Sequence, residues 1–330
     1  MPARVSIGIV TWNSARDLER CLAAVRAQTH PAVDLLVVDN ASSDGTRAIL
    51  ERLTSPSERI LLDGNIGFAA AHNLAIARTG SEFYLALNAD VFLSPTFVTC
   101  LAEELEHDDR VGSASGKLLG ADGTGVIDST GIYMLPSQRH LDRGQGEVDR
   151  GQYDRMELVF GTTAAAGFYR RAMLEDVAVD GEVFDQDFFA YREDADLAWR
   201  AQLLGWRCLY VPAATALHVR RVTPGRRAAL PPEINRMSVR NRFLLRIKNQ
   251  PVSQFVRFFG PAAWRDLQVV GFVLLREHAS LGAFADVIRL LPRALRKRRA
   301  IMRRRRTPVA ELNAWFRQRS RPFAASRPAS

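Results

Sequence analysis

Apolar residues in this chain come in short unbroken runs, separated by stretches in which they recur every three to four positions. A short run predicts a strand buried on both faces, and the periodic stretch predicts a helix. Val5 to Val10 is the first run. After Thr11-Trp12-Asn13-Ser14, residues Leu18, Cys21, Leu22 and Val25 fall at helical spacing, with Asn13 or Ser14 placed to cap. Val33 to Val38 is the second run, ending in the polar loop Asp39-Asn40-Ala41-Ser42-Ser43-Asp44-Gly45-Thr46 that opens another helix. Ile60-Leu61-Leu62 is a third strand. It gives way to Asn65-Ile66-Gly67-Phe68 and a helix carrying Asn73 as far as Ala77. This alternation predicts an α/β protein, with a mostly parallel sheet, helices on both faces, and ligands at the carboxyl ends of the strands.

The chain turns on the next run, Glu82 to Asp90, which follows Gly80-Ser81 and ends in Asn88 and Asp90. One residue apart at a strand end, these two side chains can converge on a hard cation, the usual means of holding a diphosphate. Asn-Ala-Asp is equally an ordinary turn before the helix near Ser94-Pro95. Beyond it, Val111 to Leu119 and Gly125 to Tyr133 read as strands, and Gln138 to Asp154, rich in glycine and charge, reads as a mobile loop or lid. Gly112 to Lys117 imitates a phosphate loop but has the wrong glycine spacing and Leu118 where Ser or Thr is required.

A second polar cluster runs from Asp185 to Asp196. Leu197, Arg200, Ala201 and Leu204 predict a helix stopped by Gly205, so Glu193 and Asp194 fall at its N-terminus, where the dipole favours negative charge. Aromatic neighbours (Phe188, Phe189, Tyr191, Trp199) imply that some of these carboxylates are partly buried. A strand from Arg207 to Val211 then leads to His218.

Charge divides the chain. Residues 219–330 hold 26 Lys+Arg against 5 Asp+Glu, a balance of +21 that leaves −12 for residues 1–218 of a chain at +9 overall. Within 281–306, Phe284, Ile288, Leu291, Leu295 and Met302 form an apolar stripe among 10 Lys+Arg, interrupted by Pro292. That pattern suits a helix lying on an anionic membrane surface; without interleaved aromatics, nucleic acid is not expected as a partner. Three scattered cysteines without metal or redox spacing fit a reducing compartment. With no signal peptide and no apolar run long enough to span a bilayer, the expected place is cytoplasmic, peripheral on the inner face of the membrane.

Taken in order, Val10-Thr11-Trp12-Asn13, Val37 to Thr46, Asn65 to Asn73, Leu87 to Asp90, Phe188 to Leu197 and Pro212 to His218 resemble the inverting family 2 glycosyltransferases of GT-A fold, and among them the rhamnosyltransferase-like members of bacterial cell-surface polysaccharide synthesis. The resemblance covers residues 4–220. It implies a glycosyltransferase domain at 1–220 and a basic helical extension at 221–330, whose Arg240-Asn241-Arg242 and Lys248-Asn249 are also similar to such enzymes.

By the same resemblance Asp39 reads the nucleobase, with Thr11, Asn13 and Asp44 lining its pocket, and Asn65, Gly67, Asn73 and Asn88 lie along the donor. Asp90, Asn88 and His218 bind Mg²⁺ or Mn²⁺. Asp194 is the catalytic base, with Glu193 beside it, and Glu193 and Asp196 would raise its pKa by like-charge repulsion. Asn88 departs from the family's Asp and weakens the cation site. The implied partners are a UDP- or dTDP-linked sugar, with dTDP-rhamnose the guess, a glycan or lipid-linked saccharide acceptor, and a second copy of the chain. Two alternatives stand beside this reading: a nucleotidyltransferase on a related sheet, and an inactive membrane-docked scaffold.

Overall fold

In the computed structural model, residues 2–220 and 230–323 are described. The chain runs β1 (Val5–Thr11), α1 (Ala15–Arg26), β2 (Val33–Asp39), α2 (Thr46–Leu53), β3 (Arg59–Leu61), α3 (Phe68–Arg78), β4 (Phe83–Asn88), β5 (Val91–Leu93), α4 (Phe97–Glu106), β6 (Val111–Gly120), β7 (Ile127–Ser129), β8 (Ile132–Met134) and β9 (His140–Asp142). It continues through β10 (Glu157–Val159), β11 (Ala166–Arg170), α5 (Arg171–Val177), α6 (Glu193–Leu203), β12 (Arg207–His218), α7 (Pro232–Asn249), α8 (Val252–Arg257), α9 (Phe259–Arg276), α10 (Gly282–Arg304), α11 (Val309–Trp315) and β13 (Arg321–Pro322).

The main sheet has the order β13-β10-β12-β6-β11-β4-β1-β2-β3. Strands β4, β1, β2 and β3 are parallel, as the alternating pattern predicts. β11 enters antiparallel between β4 and β6, and β12 runs parallel to β6. Successive side chains of a strand point to opposite faces. Accordingly Phe83, Leu85 and Leu87 of β4 join Leu18, Leu22, Phe97 and Leu101 on one face. Tyr84 and Ala86 join Ala71, Ala75, Met173 and Leu174 on the other.

Three expectations change. Neither Asn13 nor Ser14 caps α1 with its side chain; Ala15 N–H instead donates to Asp44 Oδ2 at 3.2 Å. The stretch 138–154 is tied down where a lid was expected. It carries β9, the Arg143 guanidinium lies 4.8 and 4.7 Å from the Tyr153 and Tyr210 ring centres, and Lys117 pairs with Asp149 and Asp154. Nor is α10 free to offer all its charge outward. Lys297 is buried against Glu182, Asp185 and Asp187, Arg293 reaches Glu182 and Asp187, and Arg304 and Arg306 reach Asp176. Part of the basic tail therefore neutralises the acidic body. No helix among the described residues is long and apolar enough to cross a membrane.

Candidate active site

The parallel strands deliver their polar ends to one edge. Thr11 and Asp39 end neighbouring strands in register, and Thr11 Oγ1 donates to Asp39 Oδ1 at 3.0 Å. Asp39 has no exposed surface; Ser42 N–H (3.1 Å) and Arg47 Nε (2.9 Å) take its other oxygen. Arg47, which also donates to Leu62 O, is the partly exposed member of that set. Asn13, at φ 52°, accepts from Ser43 N–H at 2.8 Å, and exposed Trp12 stands beside it.

Two expected donor residues make hydrogen bonds within the protein. Asp44 accepts from the backbones of Ala15 and Thr46, joining the N-termini of α1 and α2. Asn73 exchanges two hydrogen bonds with the Phe184 backbone, at 2.7 and 2.8 Å, tying α3 to the segment before the acidic cluster. Asn65 Oδ1 accepts from Gly67 N–H at 2.9 Å and shapes the loop before α3. Gly67 sits at φ +89°, and a Cβ there would lie 2.6 Å from the Phe189 ring, so a glycine is required on both counts.

β5 brings the metal candidates together across 128 positions of sequence by pairing with the end of β12, Val91 opposite His218. His218 Nε2 lies 3.5 Å from Asp90 Oδ1, and Nδ1 lies 2.7 Å from Asp128 Oδ2. Asn88 ends β4 half-buried, its backbone N–H donating to Ala165 O at 2.9 Å.

 That backbone bond, with Val219 N–H donating to Asp90 O at 3.0 Å, holds Asn88 and Asp90 between β11 and β12. Burial opposes a charged His218, but Asp128 and Asp90 outweigh it and raise its pKa to about 9. A histidine tied at one ring nitrogen to a carboxylate, with the other aimed at a second carboxylate, matches the outer support of a metal-ligating imidazole. Among the described residues no group of three His, Cys, Asp or Glu side chains could hold a metal. Asp90 and His218, with Asn88 two positions before Asp90, are oxygen and nitrogen groups of the kind a divalent cation takes, and His218 would give up its proton to serve as a ligand.

Asp194 opens the first turn of α6, half-buried, and accepts from Ala195 N–H at 2.7 Å and Ala164 N–H at 3.5 Å. Burial, and next the carboxylate of Asp142, raise its pKa to about 6, against the two N–H groups and Arg220. The expected neighbours act differently. Glu193 is buried, and burial, then the Asp194 carboxylate and Asp196, push its pKa well up, so it holds its proton to higher pH than Asp194 does. Asp196 is fully buried and paired with Arg200 (2.9 Å) and Lys248 (2.8 Å), so its charge is already balanced.

Sequence reasoning missed Asp128, Asp142 and Arg220. Arg220 Nε is 2.7 Å from Asp128 and its Nη2 is 2.8 Å from Asp142, a bridge from the histidine to the surroundings of Asp194. Arg220, two positions after His218, carried the only local signal. Further cations gather beside them: Arg192 Nη1 is 3.1 Å from His140 Nδ1, and Arg139, Arg242 and Arg220 also lower the His140 pKa, after burial.

A family model described as glycosyl transferase family 2 matches residues 6–177. The chain is 28% identical over 245 residues to the N-acetylglucosaminyl-diphospho-decaprenol L-rhamnosyltransferase of Mycobacterium tuberculosis, covering 66% of this chain and 76% of that protein. It is 20% identical to a poly-beta-1,6-N-acetyl-D-glucosamine synthase of Staphylococcus aureus, covering 62% of this chain and 47% of that one. Among solved structures, S. aureus TarS 1–349 in complex with UDP-GlcNAc superposes with a TM-score of 0.54 at 19% identity, over 91% of this chain and 88% of that one. GalNAc-T7 with UDP, GalNAc and Mn²⁺ gives 0.55 at 12% identity, over 83% and 58%. These structural likenesses speak to the fold, and the family match covers more than half of the chain. The chain belongs to glycosyl transferase family 2 and is a glycosyltransferase of GT-A fold.

Proposed function

We propose that this enzyme moves a sugar from a nucleotide diphosphate donor to an acceptor hydroxyl in one displacement that inverts the anomeric carbon. The observation that supports it most is Asp194: a half-buried carboxylate with its pKa raised to about 6, at a helix N-terminus on the same sheet edge as Asp90 and His218. In this reading Asp194 takes the acceptor proton as the hydroxyl attacks. Thr11, Asn13, Asp39 and the Asn65–Gly67 loop hold the nucleoside, and a base that reaches Asp39 displaces Arg47 from it. Asp90, Asn88 and His218 hold Mg²⁺ or Mn²⁺, which when bound neutralises the departing diphosphate.

For the finer substrate we propose rhamnose from a dTDP donor and a lipid-linked saccharide acceptor, following the relative from M. tuberculosis. The guanidinium groups gathered near His140 suit an acceptor carrying phosphate. A membrane-facing surface would bring the enzyme to such an acceptor, and α9 supports one. Trp264, Leu267 and Leu275 stand 64%, 62% and 76% exposed along it, with Val252 and Val256 of α8 beside them and exposed Arg289 and Arg296 on α10.

Asp194→Asn should leave donor affinity within about twofold while lowering kcat roughly a hundredfold or more, as expected on losing a general base. Calorimetry with a panel of nucleotide sugars, with and without Mn²⁺, measures the first quantity, and a coupled assay of nucleotide release measures the second. Near-normal turnover would remove Asp194 from the mechanism.

A further inference from the structure

Asp194 is reached through an unusual turn. Phe189, Tyr191 and Arg192, none of them glycine, have φ of 64°, 68° and 74°. Such backbone persists only where its surroundings over-determine it. The determinant lies on α7, about 50 residues later in the chain. Asn241, fully buried, points Nδ2 at the carbonyl oxygens of Phe188, Ala190 and Tyr191, each 2.9 Å away. Its orientation is set in turn, because Arg240 Nε donates to Asn241 Oδ1 and Arg240 Nη2 to Phe188 O, both at 2.9 Å.

The same helix grips both sides of the turn. Lys248 pairs with Asp185 before it and with Asp196 after it, and Asn249 Nδ2 donates to Asp196 at 2.6 Å. On its far side the turn meets the donor loop, where Phe189 O accepts from Ala69 N–H at 3.2 Å and the Phe189 ring rests on Gly67.

We propose that Asn241 is a positioning residue for the reaction. By gathering three carbonyl groups of the 188–191 turn, it fixes where α6 begins and hence where the Asp194 carboxylate stands relative to the donor. The C-terminal helices thus take part in catalysis through α7, without touching substrate. This rests on the reading of Asp194 as the base.

The test is Asn241→Leu in the full chain, which keeps the bulk of the side chain and removes its hydrogen bonds. With donor in excess, kcat should fall by about tenfold or more while the donor Kd with Mn²⁺ stays within about twofold, because only the approach geometry is lost. The acid limb of the kcat–pH profile should also move by about half a unit or more from that of the parent enzyme, since the enclosure of Asp194 changes with the turn. Arg240→Ala, at a half-buried position, should shift both quantities in the same direction by less, and it decides the matter if Asn241→Leu does not fold. A parent-like kcat and acid limb in the variants that fold, with only a lower Tm, would overturn the proposal and leave Asn241 a structural residue. Asp194→Asn is run alongside. If that enzyme still turns over, the base assignment has failed; if it is inactive and the Asn241 and Arg240 variants are parent-like, only the positioning role has.

Discussion

At the scale of single residues, two adjacent carboxyl groups divide the work by their surroundings. Burial raises both carboxyls, and the Asp194 charge raises Glu193 further, so Asp194 is the one that ionises first as pH rises. Turnover should therefore climb with pH through about 6 and fall roughly tenfold per unit below it. Stability should move the other way. Both groups hold their protons more tightly folded than unfolded, so the stability that they contribute is present below the ordinary carboxylate range and is lost as pH rises through about 6 and then about 8. Glu193→Gln should remove the upper part of that loss, melting higher than the parent at pH 8.5 but not at pH 5, with kcat within a few fold. A pH series of thermal melts beside the rate profile checks both. A large fall in kcat would instead return Glu193 to the reacting groups.

At the scale of elements, the acidic cluster and the basic helix α10 neutralise one another. Lys297, with a side chain only 1% exposed, meets Glu182, Asp185 and Asp187. Lys297→Met should cost about 3–5 kcal/mol in urea unfolding, because it strands buried carboxylates, though Arg293 and Lys248 offset part of this. None of this contact could be read from sequence. The charge division of the chain was visible, but separate runs of opposite sign look the same whether they face solvent, a membrane or each other. Local pattern fared better. Strands β1, β2 and β4 and helices α1 and α3 followed from runs and periodicity, and their polar ends were legible because a buried strand must stop where polar side chains begin. Asp128 and Asp142 escaped notice because they sit in three-residue strands and gain meaning only through partners 90 and 78 positions away, and Asn241, though noticed, showed no role until the fold set it against a turn about 50 positions earlier.

At the scale of the whole molecule, residues 230–323 complete the sheet and core as well as extending them. β13 pairs with β10, and Leu312, Trp315 and Phe316 pack with Phe160 and Trp199. Truncation after Ser280 should therefore lose donor binding along with the fold, as a missing cooperative transition in thermal melts would show. The membrane proposal needs a milder probe. Trp264→Ser, Leu267→Ser and Leu275→Ser together should abolish co-sedimentation with anionic vesicles at low salt and leave donor affinity unchanged, since these side chains already stand in solvent. Parent protein that stays in the supernatant would end the membrane reading, and the apolar face of α9 would then fit a second copy of the chain.

The pairing of β13 with β10 also bears on how the protein is made. Synthesis runs from the N-terminus, so the ribosome delivers β10 about 160 residues, and its neighbour β12 about 100 residues, before the strand that covers them. At 5–20 residues per second that interval is on the order of ten seconds or more. Once β12 has paired with β10, that strand is an unpaired edge until β13 arrives, and the rings of Phe160 and Trp199 lack the cover of Trp315 and Phe316. Closure of this edge by β13 is therefore a late step of folding, and a chaperone that shields β10 in the meantime should raise the yield of folded enzyme.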